Sequence, residues 1–251
     1  MFDSYAAQIL DYYTHRVDPA TDYPGSEYAQ QWDREFSIEG PLRDLATNVQ
    51  QVLAGRDVLE IASGLGRWTR PLLATANSVL ATDASPRCLA RLRDGASFGM
   101  DLREGQFRVQ KVNAFRPDEA PGKFNGALSV NWFQHIPKQL LRQWIARLHR
   151  KLLPGSIVFI AINHLAPRAR CRLFSKPRDP NLYAPRYTFD GRRIEVVDNV
   201  FSEPDLRAIF RQVSKNVCFY CDSQHYWVTY EAVKVERRRL EEILRRQESV
   251  L

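Results

Sequence analysis

The chain has 251 residues, of which 44% are hydrophobic and 26% charged, and it carries a net charge of +7. That length holds one sizeable α/β domain with decorations, or at most two small ones, and the composition is that of an ordinary globular protein, not a disordered or fibrous one. No run approaches the roughly 18 apolar residues of a membrane span, and the basic residues are scattered while residues 1–56 hold 4 Lys/Arg against 9 Asp/Glu, which disfavours a nucleic-acid footprint.

The beginning of the chain, with Asp3 and Asp11, shows no basic-then-apolar signal sequence, so a cytoplasmic location is expected. Four cysteines are unremarkable in a reducing compartment. Cys218 and Cys221 have redox spacing, but they fall in an apolar, strand-like run with no helix start to activate a thiolate, and a structural role is expected of them.

Tyr5, Ile9, Tyr12 and Tyr13 fall at helical spacing, and Pro19, Pro24 and Gly25 then break the pattern. Further helices are expected over Glu27–Phe36 and Pro41–Leu53. Val58, Leu59 and Ile61 then read as a buried strand with Glu60 near its end, followed by the small-residue stretch Ala62-Ser63-Gly64-Leu65-Gly66 and a helix start. A second strand ends at Asp83, about twenty residues on. This is a nucleoside-binding βαβ layout, in which small residues let a ligand approach the backbone and the acid accepts from ribose hydroxyls. The spacing of Gly64 and Gly66 disfavours a dinucleotide, because G-x-G-x-x-G is absent and Glu60 would repel a pyrophosphate.

On these residues, "VLEIASGLGRWT" and "VLATDAS" resemble the first two motifs of the class I S-adenosylmethionine-dependent methyltransferases, of the small-molecule type. Ala62 stands where the family usually has its first glycine, and Ser63 where cysteine is frequent. The resemblance has motif support over about residues 55–165. It implies that S-adenosylmethionine is the cofactor, held by Glu60, Ala62, Ser63, Gly64, Gly66 and Thr69, with Asp83 and Ala84 at the ribose. It implies an N-terminal helical lid, residues 1–54, from which Tyr13 and Arg16 reach the cofactor and Tyr12, His15, Tyr28 and Trp32 reach the substrate.

Further along, a third strand leads to Asn113-Ala114, which the resemblance places at the adenine. A fourth, Phe124–Val130, leads to Asn131-Trp132-Phe133-Gln134-His135. There the resemblance puts Asn131 and Trp132 beside the sulfonium and Trp132 and Phe133 beside the acceptor. His135 and Tyr13 are the candidates to take or orient a proton. An amphipathic helix over Lys138–Leu153 precedes a buried fifth strand, Ile157–Ile162, which closes a core over residues 55–162. Residues 163–202 read as an insertion over the substrate, with Asp190-Gly191 marking a hairpin and Tyr187 a substrate residue. Residues 203–251 contain a capped helix, two strands expected to be antiparallel, and a charged terminal helix, Glu236–Leu251.

The expected fold is α/β, a doubly wound, mostly parallel seven-stranded sheet with helices on both faces, an N-terminal helical lid and an insertion after the fifth strand. The expected activity is methyl transfer to nitrogen or oxygen of a small aromatic or heterocyclic metabolite. An RNA methyltransferase and a non-catalytic cofactor-binding protein remain as alternatives. His15, His135, His149, His164 and His225 lack carboxylate spacing, so no metal is expected. No membrane partner is expected, and monomer and homodimer both stay open.

Overall fold

Val58 and Leu59 are neighbours in sequence and both are fully buried, one in each of two separate hydrophobic clusters. A strand buried on both faces needs a layer of helices on each side, and the chain supplies them. The computed structural model describes residues 5–9, 11–12, 35, 37, 40–93, 102–163, 172–187, 191–211, 213–222 and 225–233.

After a helical stretch at residues 5–9 and 11–12, the elements are α1 (Arg43–Val52), β1 (Asp57–Ile61), α2 (Thr69–Thr75), β2 (Ser78–Asp83), α3 (Pro86–Arg93), β3 (Phe107–Lys111) and β4 (Phe124–Val130). Then come α4 (Leu141–His149), β5 (Leu152–Asn163), β6 (Phe174–Ser175), β7 (Leu182–Tyr187), β8 (Arg193–Val197), α5 (Glu203–Phe210), β9 (Ser214–Cys221) and β10 (His225–Ala232).

The main sheet runs β3-β2-β1-β4-β5-β10-β9. β10 is antiparallel to both neighbours, and the pairs from β3 to β5 are parallel. One face packs against α1, α2 and α3 through Leu45, Val49, Leu72 and Leu89. The other packs against α4, α5 and the N-terminal helix through Trp144, Leu148, Phe210, Ile9 and Tyr12. The order reverses between β1 and β4, and that crevice at the carboxyl ends of the strands is where a doubly wound sheet binds ligands.

The expected fold class is therefore observed, with differences of detail. β5 starts at Leu152, not Ile157, and pairs Leu152 with Phe124 across an irregular step. Helix α4 starts at Leu141, because Lys138–Leu140 after Pro137 form a 3-10 turn. Helix α5 carries the expected cap, Ser202 and Asp205 exchanging hydrogen bonds in a capping box. β7 and β8 form the expected hairpin, to which β6 adds a third strand; Gly191 is described and Asp190 is not.

Cys218 and Cys221 lie on a strand as expected, but it is the sheet's edge and both thiols are exposed, so packing does not explain them. The expected helix Glu236–Leu251, and Glu27–Phe36 apart from Glu35, lie outside the described residues. Among the described residues no helix is long and apolar enough to cross a membrane.

Candidate functional site

Between β1 and α2 the chain turns back over the strand ends through three left-handed residues, Ala62 at φ 55°, Gly64 at φ 58° and Gly66 at φ 92°. Glycine adopts this region freely, whereas alanine pays about 1–2 kcal/mol for it. The turn is tied to β2. Ser63 donates from its N–H to the Thr82 carbonyl at 2.9 Å and from its hydroxyl to the same oxygen at 3.2 Å.

Asp83 completes the tie. Its Oδ2 accepts the Gly64 N–H at 2.9 Å and its Oδ1 accepts the Ser85 N–H at 2.8 Å. Burial raises this carboxyl above its usual range, against the backbone N–H groups of Ser85, Gly64 and Ala84. A side chain added at Gly64 would meet no atom of the described residues within 4 Å, so among them the space in front of the turn is open.

Glu60 lies beneath the turn, 2% exposed. Its Oε2 accepts from the Thr69 hydroxyl at 2.6 Å. Burial pushes this carboxyl up to about 8; the Thr69 bond opposes the shift and the Asp83 charge adds to it. At neutral pH the site thus holds a proton on Glu60 that an incoming cation would displace.

At the end of β4, Asn131 takes φ 57° and donates its N–H to the Ala161 carbonyl at 2.9 Å. Its side-chain oxygen is buried with no hydrogen-bond partner among the described residues. Such an orphaned acceptor awaits a donor. Beyond it the Trp132 ring meets Phe115 edge-on at 4.9 Å and His135 at 6.1 Å. His135 is 7% exposed, and its Nδ1 donates to the Val197 carbonyl at 2.7 Å. A carbonyl only accepts, so the neutral ring carries its lone pair on Nε2.

The structure brings Glu60, Ala62, Ser63, Gly64, Gly66, Asp83 and Ala84 together at the ends of β1 and β2, with Asn131, Trp132 and His135 at the end of the adjoining β4. Asn113 is half-buried with its side-chain oxygen accepting the Phe115 N–H, and the Ala114 carbonyl accepts from Trp144.

Four expected site residues are placed otherwise. Thr69 is fully buried with its hydroxyl on Glu60, so it positions that acid and does not face a ligand. Phe133 is fully buried among Trp144, Phe201 and Phe210, a core ring and not a pocket wall. Tyr187 is 64% exposed at the end of β7 and packs in no core cluster of the described residues. Tyr12 is 2% exposed within the core. Tyr13, His15, Arg16, Tyr28 and Trp32 lie outside the described residues.

Sequence reasoning passed over Tyr5, whose hydroxyl donates to the His135 carbonyl at 3.0 Å and accepts the Val197 N–H at 3.2 Å. Its helical spacing marked it only as apolar, and nothing local signals a polar tip that reaches residues 130 and 192 positions away.

The open space before Gly64, the two-oxygen acid at Asp83 and the orphaned Asn131 oxygen fit a nucleoside bearing a cationic amino-acid tail. Among the described residues no three His, Cys, Asp or Glu gather as a metal site would require.

Residues 58–155 match the methyltransferase domain family. No curated protein matches the chain. Among solved structures, the complex of DhpI with SAH is 18% identical, superposes with a TM-score of 0.62, and the match covers 93% of this chain and 99% of that one. The CurJ carbon methyltransferase is 12% identical with a TM-score of 0.58, over 92% of this chain and 68% of that one. The N-methyltransferase NodS from Bradyrhizobium japonicum WM9 is 13% identical with a TM-score of 0.51, over 79% and 100%. What these structures share with the chain is its fold.

Proposed function

We infer that this chain, whose residues 58–155 match the methyltransferase domain family, is a class I S-adenosylmethionine-dependent methyltransferase that transfers a methyl group to a nitrogen or oxygen of a small aromatic or heterocyclic acceptor. The observation that carries the reading is the turn after β1, with Asp83 fastened to the Gly64 N–H at 2.9 Å and open space before Gly64. Both carboxylate oxygens of Asp83 accept backbone N–H groups, and the lone pair left over is offered to a ribose hydroxyl. Glu60 gives up its proton to receive the ammonium of the amino-acid tail.

When bound, the cofactor supplies a sulfonium methyl that is already an activated electrophile. The protein's task is then to hold the acceptor in line, which accounts for roughly 7–11 kcal/mol of barrier. Trp132 and Tyr5, which flank the buried Phe115, are the rings a flat acceptor would meet at the end of β4. His135, held by its Nδ1 on the Val197 carbonyl, is the residue that takes or orients the acceptor's proton.

Calorimetry with S-adenosylmethionine tests the cofactor half. Asp83→Ala removes charge-assisted hydrogen bonds worth about 1.5–3 kcal/mol each, so affinity should fall about tenfold or more, and an unchanged affinity would sink the assignment. A product assay over planar heterocycles, phenols, aliphatic amines and short RNAs tests the acceptor half, and methylation of RNA alone would overturn it.

A further inference from the structure

We propose that the cleft between the N-terminal helix and the β6–β8 sheet binds an oxyanion, a carboxylate or phosphate carried by the methyl acceptor. The proposal rests on the methyltransferase reading above and adds the acceptor's charge to it.

The cleft has a volume of about 500 Å³, within the ordinary range for a small-molecule site. Its walls include Tyr5, Lys176, Tyr183, Arg193 and Glu195. Lys176 Nζ stands 2.7 Å from Glu195 Oε2, and Arg193 Nη1 stands 3.4 Å from Glu195 Oε1. The lining thus carries two cations against one carboxylate, while Asp179 behind it also acts on Lys176. Asp179 does not line the cleft. Its oxygens accept from the Tyr183 hydroxyl at 2.6 Å and from the backbone and side-chain N–H groups of Asn181. Lys176 also lies 4.1 Å over the Tyr183 ring, which holds the ammonium in place at the wall. Arg193 presents five N–H donors in a planar fork suited to carboxylate or phosphate.

Tyr5 stands between the cleft and the end of β4. One face of that residue lines the cleft, while its hydroxyl bridges the His135 carbonyl and the Val197 N–H. Its ring meets Phe115 at 5.9 Å, and Phe115 meets Trp132 at 4.9 Å. Arg193 opens β8 and Val197 closes it, which at about 3.3 Å per residue separates them by roughly 13 Å. An acceptor spanning the two ends thus carries its acid away from the methylated atom, with a ring between.

Calorimetry of the full chain saturated with S-adenosylhomocysteine tests this, using benzoate, phenyl phosphate and neutral benzamide as probes. One or both anions should bind at least about tenfold more tightly than benzamide, and whichever anion is preferred identifies the oxyanion. Lys176→Gln with Arg193→Gln should erase the preference, while Glu195→Gln, which frees both cations, should strengthen anion binding several-fold. S-adenosylhomocysteine affinity should stay unchanged throughout, which separates charge from misfolding. Equal binding of benzoate and benzamide, or anion affinity insensitive to all three substitutions, overturns the proposal and leaves the methyltransferase reading standing. Failure of S-adenosylhomocysteine itself to bind the wild-type chain overturns both.

Discussion

The turn after β1 and the cleft beside Tyr5 are put together differently. The turn is held by partners close along the chain: Glu60 with Thr69, Gly64 with Asp83 and Thr82 with Glu60, at separations of 9, 19 and 22 residues. The cleft side depends on Tyr5 with His135, Tyr5 with Val197 and His135 with Val197, at separations of 130, 192 and 62. The first belongs to one βαβ unit and suits a ligand that such units share. The second is assembled from three distant segments and is free to vary with the acceptor.

Substitutions should split along this division. The largest effect is expected at Gly64. Gly64→Val places a β-branched residue at φ 58° and fills the open space before the turn. S-adenosylmethionine binding should vanish by calorimetry while circular dichroism reports a folded protein. Normal binding would reduce the turn to a structural link and erase the contrast.

Next comes Glu60→Gln. Folding raises the Glu60 carboxyl from 4.5 to about 8, so between those values the native state holds a proton that the unfolded state has lost. Stability from this group is therefore present below about pH 4.5 and falls as pH rises toward 8. The glutamine keeps a partner for Thr69 without titrating. The empty variant should be more stable than wild type at pH 8, by up to a few kcal/mol, and should lose that advantage at pH 4.5, as melting curves at the two pH values would show. Wild type should also release a proton on binding S-adenosylmethionine at pH 7, seen as a buffer-dependent binding enthalpy that the variant lacks.

Tyr5→Phe probes the other region. It strips the Val197 N–H of its partner, at a cost of about 1–3 kcal/mol in stability, while S-adenosylmethionine affinity should not move. A loss of cofactor affinity would show that the two regions are one. The smallest effect, with opposite sign, is expected of Ala62→Gly. Relief of the left-handed alanine exceeds the added freedom of the unfolded chain, for a net gain of about 0.5–1 kcal/mol by denaturant titration.

The same division explains what could be read from sequence. Val58, Leu59, Glu60, Gly64 and Asp83 signal through spacing within a single βαβ unit, and both the sheet and the cofactor side followed from them. Glu60 was legible as an acid at the strand end, but its bond to Thr69 and its buried state were not, since burial depends on α2 folding over it. Phe133 and Trp132 are adjacent aromatics with opposite fates, Phe133 facing Phe210 and Trp132 facing Phe115. A 3-10 turn at Phe133–His135 decides between them, and no strand or helix period announces it. Lys176, Arg193 and Glu195 look in sequence like any charged surface. They acquire meaning only because β8 runs beside β7 and β7 beside β6.

The bridge made by Tyr5 also sets an order of events during synthesis. Its helix leaves the ribosome well before β8, and the Val197 N–H it accepts from follows 192 residues later. Contacts of such separation close late, after the chain entropy of a long loop has been overcome. The turn after β1, completed once Asp83 has emerged, needs no such wait. A growing chain can therefore shape the turn after β1 long before it can close the cleft beside Tyr5.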